Sequence, residues 1–359
     1  MAARRAAEFY HCCRRQQFRW LSRTNFARRK PNFTRDAGEN FTSLFRANIS
    51  PTISHLSTNV SIHAVQLFIE RYTGNRIDLT FSGRRGTTCG MIIDTHCHLV
   101  SPKYPPMEQV RAESLELGVG HCITQGTNPW DWEKHLALAA EMPEFVSACL
   151  AVHPSDAHEA DAAAMERMAE LCRSHSLAAI GETGLDYFWD APEGWSEKDF
   201  RARQWELLEQ HYALAEELGL NISLHTRDKV GAGSACFDDA VAIARQFPKV
   251  RPVFHCFIGS QAQAELVFGE LNGMISFTGL LTFKKTEDIQ AVAAWCPLDR
   301  FMVETDSPYL SPEPFRGKLN IPGRTRFVVE KIAALRGMDW QEVAAATTRN
   351  ACSFFRLPL

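Results

Sequence analysis

Two histidines and an aspartate stand at alternate positions in the run Asp94-Thr95-His96-Cys97-His98. Two apolar residues precede the run, which predicts a short buried strand whose side chains alternate between its faces. Asp94, His96 and His98 would then share one face. Imidazole nitrogens and a carboxylate at a strand end are the start of a divalent-metal site. A lone His-x-His pair is more often a chance pairing, so the interpretation depends on further ligands.

Four further ligand-type residues lie at the ends of other predicted strands: Glu182, His225, His255 and Asp306. Any single histidine is better explained as a hydrogen-bonded core residue, but that explanation does not extend to six residues at strand ends. A mononuclear hydrolytic zinc uses three protein ligands and an open position. Four histidines and two carboxylates exceed that number and indicate two ions that share a carboxylate. Such a pair suits displacement at phosphorus.

The elements that must position these residues are short apolar runs that alternate with helical patterns. The clearest helix is predicted over residues 196–218, with Ser196 as its amino-terminal cap. Eight strands alternating with helices predict a TIM (β/α)8 barrel, in which the chemistry lies at the carboxyl ends of the strands. A doubly wound open sheet is the alternative, but no strand is followed by Gly-x-Gly-x-x-Gly. The predicted strands are Ile92–Thr95, His121–Gln125, Val146–Val152, Ala178–Glu182, Asn221–His225, Pro252–His255, Met274–Phe277 and Phe301–Glu304.

The charge of the 359-residue chain is unevenly distributed. Residues 1–90 hold 15 Lys and Arg against five Asp and Glu, whereas residues 91–359 hold 24 against 37. The first segment is Arg-rich and has no long apolar run, which predicts an unstructured basic extension that is either a transit-like peptide or sequence upstream of the true start at Met91. The 11 cysteines of the whole chain lack a metal or disulfide spacing, which is typical of a reducing compartment. We expect a cytoplasmic protein, or an organellar one if the extension is a transit peptide, and no membrane span.

Six motifs together give the chain from residue 91 to 359 a specific resemblance to the TatD-type metal-dependent hydrolases. They are Asp94-Thr95-His96-Cys97-His98, Val152-His153-Pro154, Ile180-Gly181-Glu182-Thr183-Gly184-Leu185-Asp186-Tyr187, His225-Thr226-Arg227, His255-Cys256-Phe257 and Glu304-Thr305-Asp306-Ser307-Pro308-Tyr309. The resemblance implies a TIM-barrel hydrolase with two divalent ions, and DNase activity in several members. It also implies that Glu182 bridges the ions, with His96, His98 and Asp306 on one and His225 and His255 on the other. Asp306 would orient or deprotonate the nucleophilic water.

The remaining polar residues near the strand ends are candidates for supporting roles. Substrate contacts are predicted for His153, Tyr187, Arg227 and Lys284, with a structural hydrogen bond as the alternative for each. The planar fork of an arginine pairs well with phosphate oxygens. Asp94 and Glu304 are predicted to fix the tautomers of ligand histidines. The metal is not decided by the sequence: imidazoles favour Zn, whereas carboxylates and a phosphate substrate also accept Mg or Mn.

Three functional hypotheses follow from this site. The first is a metal-dependent DNase that trims single-stranded ends, since no groove-reading element or basic stripe is visible in the sequence. The second uses the same ions to cleave a carboxyl ester or amide, such as the ester of an aminoacyl-tRNA. The third is a metal-binding scaffold without catalysis, which six intact ligands disfavour. An assay of both substrate types with and without EDTA distinguishes these hypotheses.

Overall fold

A closed sheet of eight parallel strands forms the centre of the computed structural model, which describes residues 91–231 and 233–358. Each strand pairs with the next in the order β1 to β8. A bridge between Cys97 and Ser307 brings β1 beside β8 and completes the barrel. The strands are β1 Ile92–Cys97, β2 Val119–Gly126, β3 Val146–Leu150, β4 Ala179–Asp186, β5 Ile222–Arg227, β6 Pro252–Phe254, β7 Met274–Phe277 and β8 Phe301–Val303.

Helices follow the strands and form the outer layer of the barrel. The long helix expected over residues 196–218 is present as Glu197–Leu218, and the Ser196 side chain accepts a hydrogen bond from the backbone N–H of Asp199. The described residues contain no helix that is both long enough and apolar enough to cross a lipid bilayer. The helices are α1 Met107–Glu116, α2 Trp132–Glu141, α3 Ala162–Ser174, α4 Glu197–Leu218, α5 Ala235–Ala244, α6 Gln261–Glu270, α7 Glu287–Trp295, α8 Thr325–Arg336 and α9 Trp340–Phe355.

The predicted TIM barrel is therefore confirmed, with a strand at each of the eight expected places. The sequence placed the strand beginnings within about two residues, but it ended β4 at Glu182, whereas the strand continues to Asp186. Polar residues at its end made that strand look shorter than it is. The prediction of an unstructured basic extension falls on residues 1–90, which lie outside the described part of the chain.

An apolar layer fills the lower half of the barrel and supports the polar mouth. Seven strands contribute one side chain each to this layer, and the end of α9 closes it from below with Phe354 and Phe355. Burial of such side chains contributes about 1.5–3 kcal/mol each. The layer makes the strand ends a rigid base for the residues above them. Its strand members are Ile93, Ile123, Cys149, Ala179, Val253, Met274 and Met302.

Candidate metal centre

All six residues predicted to be metal ligands meet at the carboxyl end of the barrel. They lie on or directly after five strands (β1, β4, β5, β6 and β8) and surround the floor of a cleft of about 960 Å³. His96, Glu182 and His255 are buried, with at most 6% of their surface exposed. The cleft gives a small substrate access to the group from one side only.

Glu182 lies at the middle of the group, and its two carboxylate oxygens face different histidines. Oε1 lies 3.0 Å from Nδ1 of His225 and 2.8 Å from Nε2 of His255. Oε2 lies 3.2 Å from Nε2 of His96 and 3.6 Å from Nε2 of His98. Burial alone would raise the pKa of this carboxyl, but the facing His255 and His96 hold the pKa well below its ordinary value. Glu182 is therefore an ionised carboxylate between two pairs of imidazoles.

A close approach of β4 to β5 sets the distance between Glu182 and His225. Gly184 has φ +145°, and a Cβ at this position would lie 1.9 Å from the carbonyl oxygen of His225. Any larger residue would push the two strands apart. Position 184 therefore requires a glycine, because only a residue without a side chain lets Glu182 and His225 come this close.

We call the Oε1 side of Glu182, with His225 and His255, the oriented half of the centre. Oδ2 of Asp186 lies 3.1 Å from Nε2 of His225, and Oε1 of Glu304 faces Nδ1 of His255 at a longer 3.4 Å. Asp186 is ionised and can only accept a hydrogen bond, so His225 carries a proton on Nε2, whereas Nδ1 of His255 makes no hydrogen bond. Nδ1 of His225 and Nε2 of His255 face Oε1 of Glu182; burial alone would lower the pKa of each ring, but the neighbouring carboxylates raise it.

We call the Oε2 side, with His96, His98 and Asp306, the open half. Oδ1 of Asp306 lies 3.2 Å from Nε2 of His98 and 3.9 Å from Nε2 of His96. Burial would raise the pKa of Asp306, but its hydrogen bond to His98 lowers the pKa below the ordinary value. Nδ1 of His96 is buried and has no hydrogen-bond partner among the described residues. This half therefore has two carboxylates but lacks the carboxylate support behind its rings.

Imidazole nitrogens and carboxylate oxygens converge in both halves, where a divalent ion would replace the protons that they share in the protein alone. In the oriented half, two imidazole nitrogens and one carboxylate oxygen lie within 2.8–3.2 Å of one another. Neutral nitrogen and carboxylate donors are ligands that Zn²⁺ and other divalent cations accept. The residues present therefore fit a divalent ion. One group able to hold an ion is formed by His96, His98 and Glu182.

The two residues predicted to fix histidine tautomers have different surroundings. Glu304 faces His255 and also accepts hydrogen bonds from the Cys256 backbone (2.7 Å) and the Ser276 hydroxyl (2.6 Å). Asp94 bonds to the backbone and hydroxyl of Thr305 at 2.9 and 2.5 Å. The prediction for Asp94 is wrong, because its carboxylate is occupied by β8 and touches no imidazole nitrogen. It fastens the first strand to the last one.

Asp186 is the residue that sequence reasoning missed. The sequence predicts no ligand or supporting role for Asp186, because the predicted strand ends four residues earlier, at Glu182. A period of two along β4 places Glu182, Gly184 and Asp186 on the same face. That pattern could have identified Asp186 as the partner of His225.

Two of the four predicted substrate residues line the cleft. The His153 ring accepts a hydrogen bond at Nδ1 from the Ser155 backbone (3.1 Å), so its proton lies on Nε2, which is 3.5 Å from Oε1 of Glu182. His153 is thus a donor and not a lone-pair ligand in its neutral form. The guanidinium of Arg227 stacks at 3.8 Å on the ring of Phe188 at the cleft wall.

The other two predicted substrate residues lie outside this cleft. The hydroxyl of Tyr187 donates to Asp239 at 2.8 Å and accepts from the Trp205 indole at 2.9 Å, on the outer side of β4. Its place directly after an inward-facing Asp186 directs it outward by strand alternation. Lys284 is exposed in the turn before α7 and does not line the cleft. Neither residue lines the cleft, and substrate contact by Tyr187 or Lys284 stays a prediction.

The cleft is acidic in the protein alone. Five carboxylates line it against the cations Lys134 and Arg227. An anionic substrate would be repelled by this excess, whereas two divalent cations would reverse the sign of the charge. The carboxylates that line the cleft are Asp131, Asp156, Glu182, Asp186 and Asp306.

Comparison with known proteins agrees with this fold and centre. The chain is 35% identical over 277 residues to the uncharacterized metal-dependent hydrolase YabD of Bacillus subtilis, covering 74% of this chain and all of the relative. It is 29% identical over 257 residues to the 3'-5' ssDNA/RNA exonuclease TatD of Erwinia tasmaniensis, covering 70% and 93%. The crystal structure of YjjV, a TatD homolog from Escherichia coli K12, matches with a TM-score of 0.66 at 28% identity, covering 76% and 100%. A family model described as TatD related DNase matches residues 93–356, and the chain therefore belongs to the TatD family of metal-dependent hydrolases.

Proposed function

We propose that this metal-dependent hydrolase is a nuclease that cleaves phosphodiester bonds of DNA from single-stranded ends, with two divalent ions at the centre. The observation that carries the proposal is the placement of Glu182, whose two oxygens face two separate histidine pairs. A bridging carboxylate of this kind holds two ions close together. The relative named as a single-strand exonuclease supports the substrate class.

The ligands divide between the two halves of the centre. In this proposal Oε1 of Glu182, His225 and His255 hold one ion, and Oε2 of Glu182, His96, His98 and Asp306 hold the other. The four imidazoles favour Zn, and the carboxylates leave Mg and Mn as alternatives. When bound, the two ions supply a lowered pKa for the attacking water and offset the negative charge that develops on the phosphate.

The protein side chains orient the reactants and move the proton. Asp306 is ionised and lies at the open half, where its free oxygen can accept the proton of the attacking water. Its backbone has φ 53°, and its N–H bonds to the carbonyl of His96 at 2.9 Å, so the carboxylate is held at a fixed angle to β1. Nε2–H of His153 can donate to a phosphate oxygen placed above Glu182.

Arg227 extends phosphate recognition toward the mouth. Its guanidinium is fixed by stacking on Phe188 and lies within 5.7 Å of the Trp189 ring. A stacked guanidinium keeps its N–H edge free for two hydrogen bonds to phosphate. We assign this residue to a phosphate next to the one that is cleaved.

The test is a nuclease assay with protein stripped by EDTA and then reloaded with Zn, Mn or Mg. We expect 3'-labelled single-stranded DNA to be shortened only after reloading, and duplex DNA to be shortened much more slowly. An aminoacyl ester is assayed beside it, because two ions can also cleave a carboxyl ester. Hydrolysis of the ester without cleavage of DNA would replace the proposal by the second hypothesis. Metal binding without either activity would leave a scaffold.

A further inference from the structure

The loops around the mouth of the barrel differ sharply in charge between its two sides. The segments after β2, β3, β4 and β5 are 127–131, 151–161, 187–196 and 228–234. Among the described residues of these segments the only exposed cation is Lys229, which is paired with Asp190 at 2.6 Å, although Arg227 and Lys134 flank the segments at the cleft wall. They form an acidic rim, whose carboxylates are Asp131, Asp156, Glu159, Asp161, Asp190, Glu193 and Asp228.

The opposite side, formed by the loops after β7, β8 and β1, is basic. Outside the metal centre these loops carry one exposed carboxylate, Glu313, although Glu287 and Asp288 begin the helix that follows the β7 loop. We call the five exposed cations of these loops the basic rim: Lys103, Lys284, Lys285, Arg316 and Lys318. A cluster of five cations is unexpected in this domain, because residues 91–359 hold 24 basic residues against 37 acidic ones.

The cations of the basic rim are available for an external anion. None of them makes an ion pair with a carboxylate in residues 91–231 and 233–358. Some other surface cations of the domain are paired: Arg173 bonds to Glu217 at 2.7 Å, and Arg245 bonds to Glu270 at 2.6 Å. Unpaired like charges repel one another, so their clustering needs a compensating anion.

Contacts between the three loops make the basic rim one continuous surface. The backbone N–H of Glu313 donates to the Thr282 hydroxyl at 2.8 Å, which joins the loops after β7 and β8. The guanidinium of Arg316 lies 4.2 Å above the Phe283 ring, and the ammonium of Lys103 lies 4.6 Å above the Tyr309 ring. The rim is therefore built across loops that are far apart in the sequence.

The basic rim begins at the wall of the cleft. Leu280, Tyr309 and Pro102 line the cleft, and each belongs to one of the three loops that carry the cations. Tyr309 is 51% exposed, and its ring centroid lies 6.2 Å from that of the metal-site residue His98. An exposed aromatic ring beside the reaction centre offers a face on which an unpaired base can stack.

We infer that a single-stranded nucleic acid leaves the metal centre over Tyr309 and runs across the basic rim, with its phosphates against these five cations. The inference rests on the proposed nuclease function and adds the direction of the strand. Beyond Arg227 the acidic rim repels the same strand, so the exit over the basic rim is electrostatically favoured. Binding of the strand outside the cleft should be strongly salt-dependent, because each phosphate contact releases counterions.

The test compares a long substrate with a small one in the metal-loaded enzyme. The rim variant carries Lys284→Gln, Arg316→Gln and Lys318→Gln. The control variant carries Lys249→Gln, Arg349→Gln and Lys331→Gln, which removes the same charge from the loop before β6 and from the helix layer. Both are assayed on a 30-nucleotide single strand and on bis(p-nitrophenyl) phosphate, a diester too small to reach the rim.

For the rim variant, we expect the ratio of kcat/KM on the 30-mer to kcat/KM on the small diester to fall about 10- to 50-fold at physiological salt. The slope of log KM against log salt should become shallower by about 2, at about 0.7 per lost phosphate contact. The control variant should keep the wild-type ratio and slope. An unchanged ratio in the rim variant, with wild-type enzyme cleaving both substrates, would overturn the inference and leave the nuclease function in place. Wild-type enzyme that cleaves only the small diester would overturn both.

Discussion

The two halves of the metal centre share Glu182 but are built on different principles. In the oriented half, Asp186 is hydrogen-bonded to the ring of His225, and Glu304 lies 3.4 Å from the ring of His255. In the open half, His96 has no such partner among the described residues, and Asp306 adds a second carboxylate instead. The oriented half is preorganised for binding an ion. The open half has a second carboxylate, Asp306, which can also accept a proton.

The largest loss of activity and metal should come from replacing Glu182, the residue that the two halves share. Glu182→Gln keeps the size of the side chain but loses the charge that offsets both ions. We expect activity to fall by about 10³-fold or more and both ions to be lost, with the fold intact. Activity, metal content and circular dichroism measure this, with the exposed Glu141→Gln as the control. Near wild-type activity in Glu182→Gln would show that the halves do not depend on this residue.

Removing a histidine of the oriented half should abolish metal binding in that half and leave metal binding in the open half intact. His225→Ala or His255→Ala deletes one of the two nitrogens of the oriented half and leaves His96, His98 and Asp306 in place. We expect metal analysis to return about one ion per chain for either variant. The exposed His175→Ala should keep the wild-type content. Two retained ions in both variants would refute the division of ligands described above.

The carboxylates behind the rings permit a milder test of preorganisation. Asp186→Asn removes the negative charge behind His225, and Glu304→Gln removes the one behind His255, while each amide keeps one acceptor oxygen. We expect each change to weaken the affinity of one ion, or the activity, about 10- to 100-fold. A stepwise Zn titration against a chelator measures this, with Asp190→Asn on the outer rim as control. Unchanged metal affinity in both variants would show that Asp186 and Glu304 do not strengthen ion binding in the oriented half.

The smallest expected effect is on the free energy of unfolding and concerns His211, which lies beneath the oriented half. His211 is buried, accepts a hydrogen bond from the Val152 backbone at 3.2 Å, and contacts the Thr183 hydroxyl at 2.9 Å, next to His153 and Glu182. Burial lowers the pKa of His211 to about 3. Between pH 6.5 and 3 the unfolded chain therefore binds a proton that the folded chain excludes. The stability from this residue is complete above pH 6.5 and is lost as the pH falls toward 3.

The slope of this loss should reach about 1.4 kcal/mol per pH unit at its steepest. Urea unfolding of the metal-free protein at several pH values measures it. His211→Gln cannot take up the proton, so its unfolding free energy should be lower at neutral pH but should fall less steeply below pH 6. His175→Gln serves as the control. Equal acid slopes in wild type and His211→Gln would exclude this residue as the source.

The barrel and the meeting of the six ligands could be predicted from the sequence because both depend on local patterns. Apolar runs placed the eight strands, and strand ends of a parallel barrel share one face. Tyr187 and Lys284 were misplaced because a strand end does not say which way the next side chain points. Asp94 was misassigned because its partner, Thr305, is more than 200 residues away.

The charge pattern of the mouth was also hidden from the sequence. The chain shows no basic stripe, because the five cations of the basic rim come from segments near residues 103, 285 and 317. Only the circular strand order, which places the loops after β7, β8 and β1 side by side, brings them together. A surface composed of distant segments has no periodicity that a sequence pattern could reveal.

The seam between the first and last strands has a consequence for how the protein is made. Asp94 is bonded to Thr305, His96 to the backbone of Asp306, and the carbonyl of Met91 to the Thr348 hydroxyl. None of these bonds can form while the ribosome still holds the last third of the domain. A nascent chain therefore displays its first histidines long before their partners exist. We expect the open half to bind its ion only after release, because Asp306 and the seam are among the last parts of the site to be synthesised.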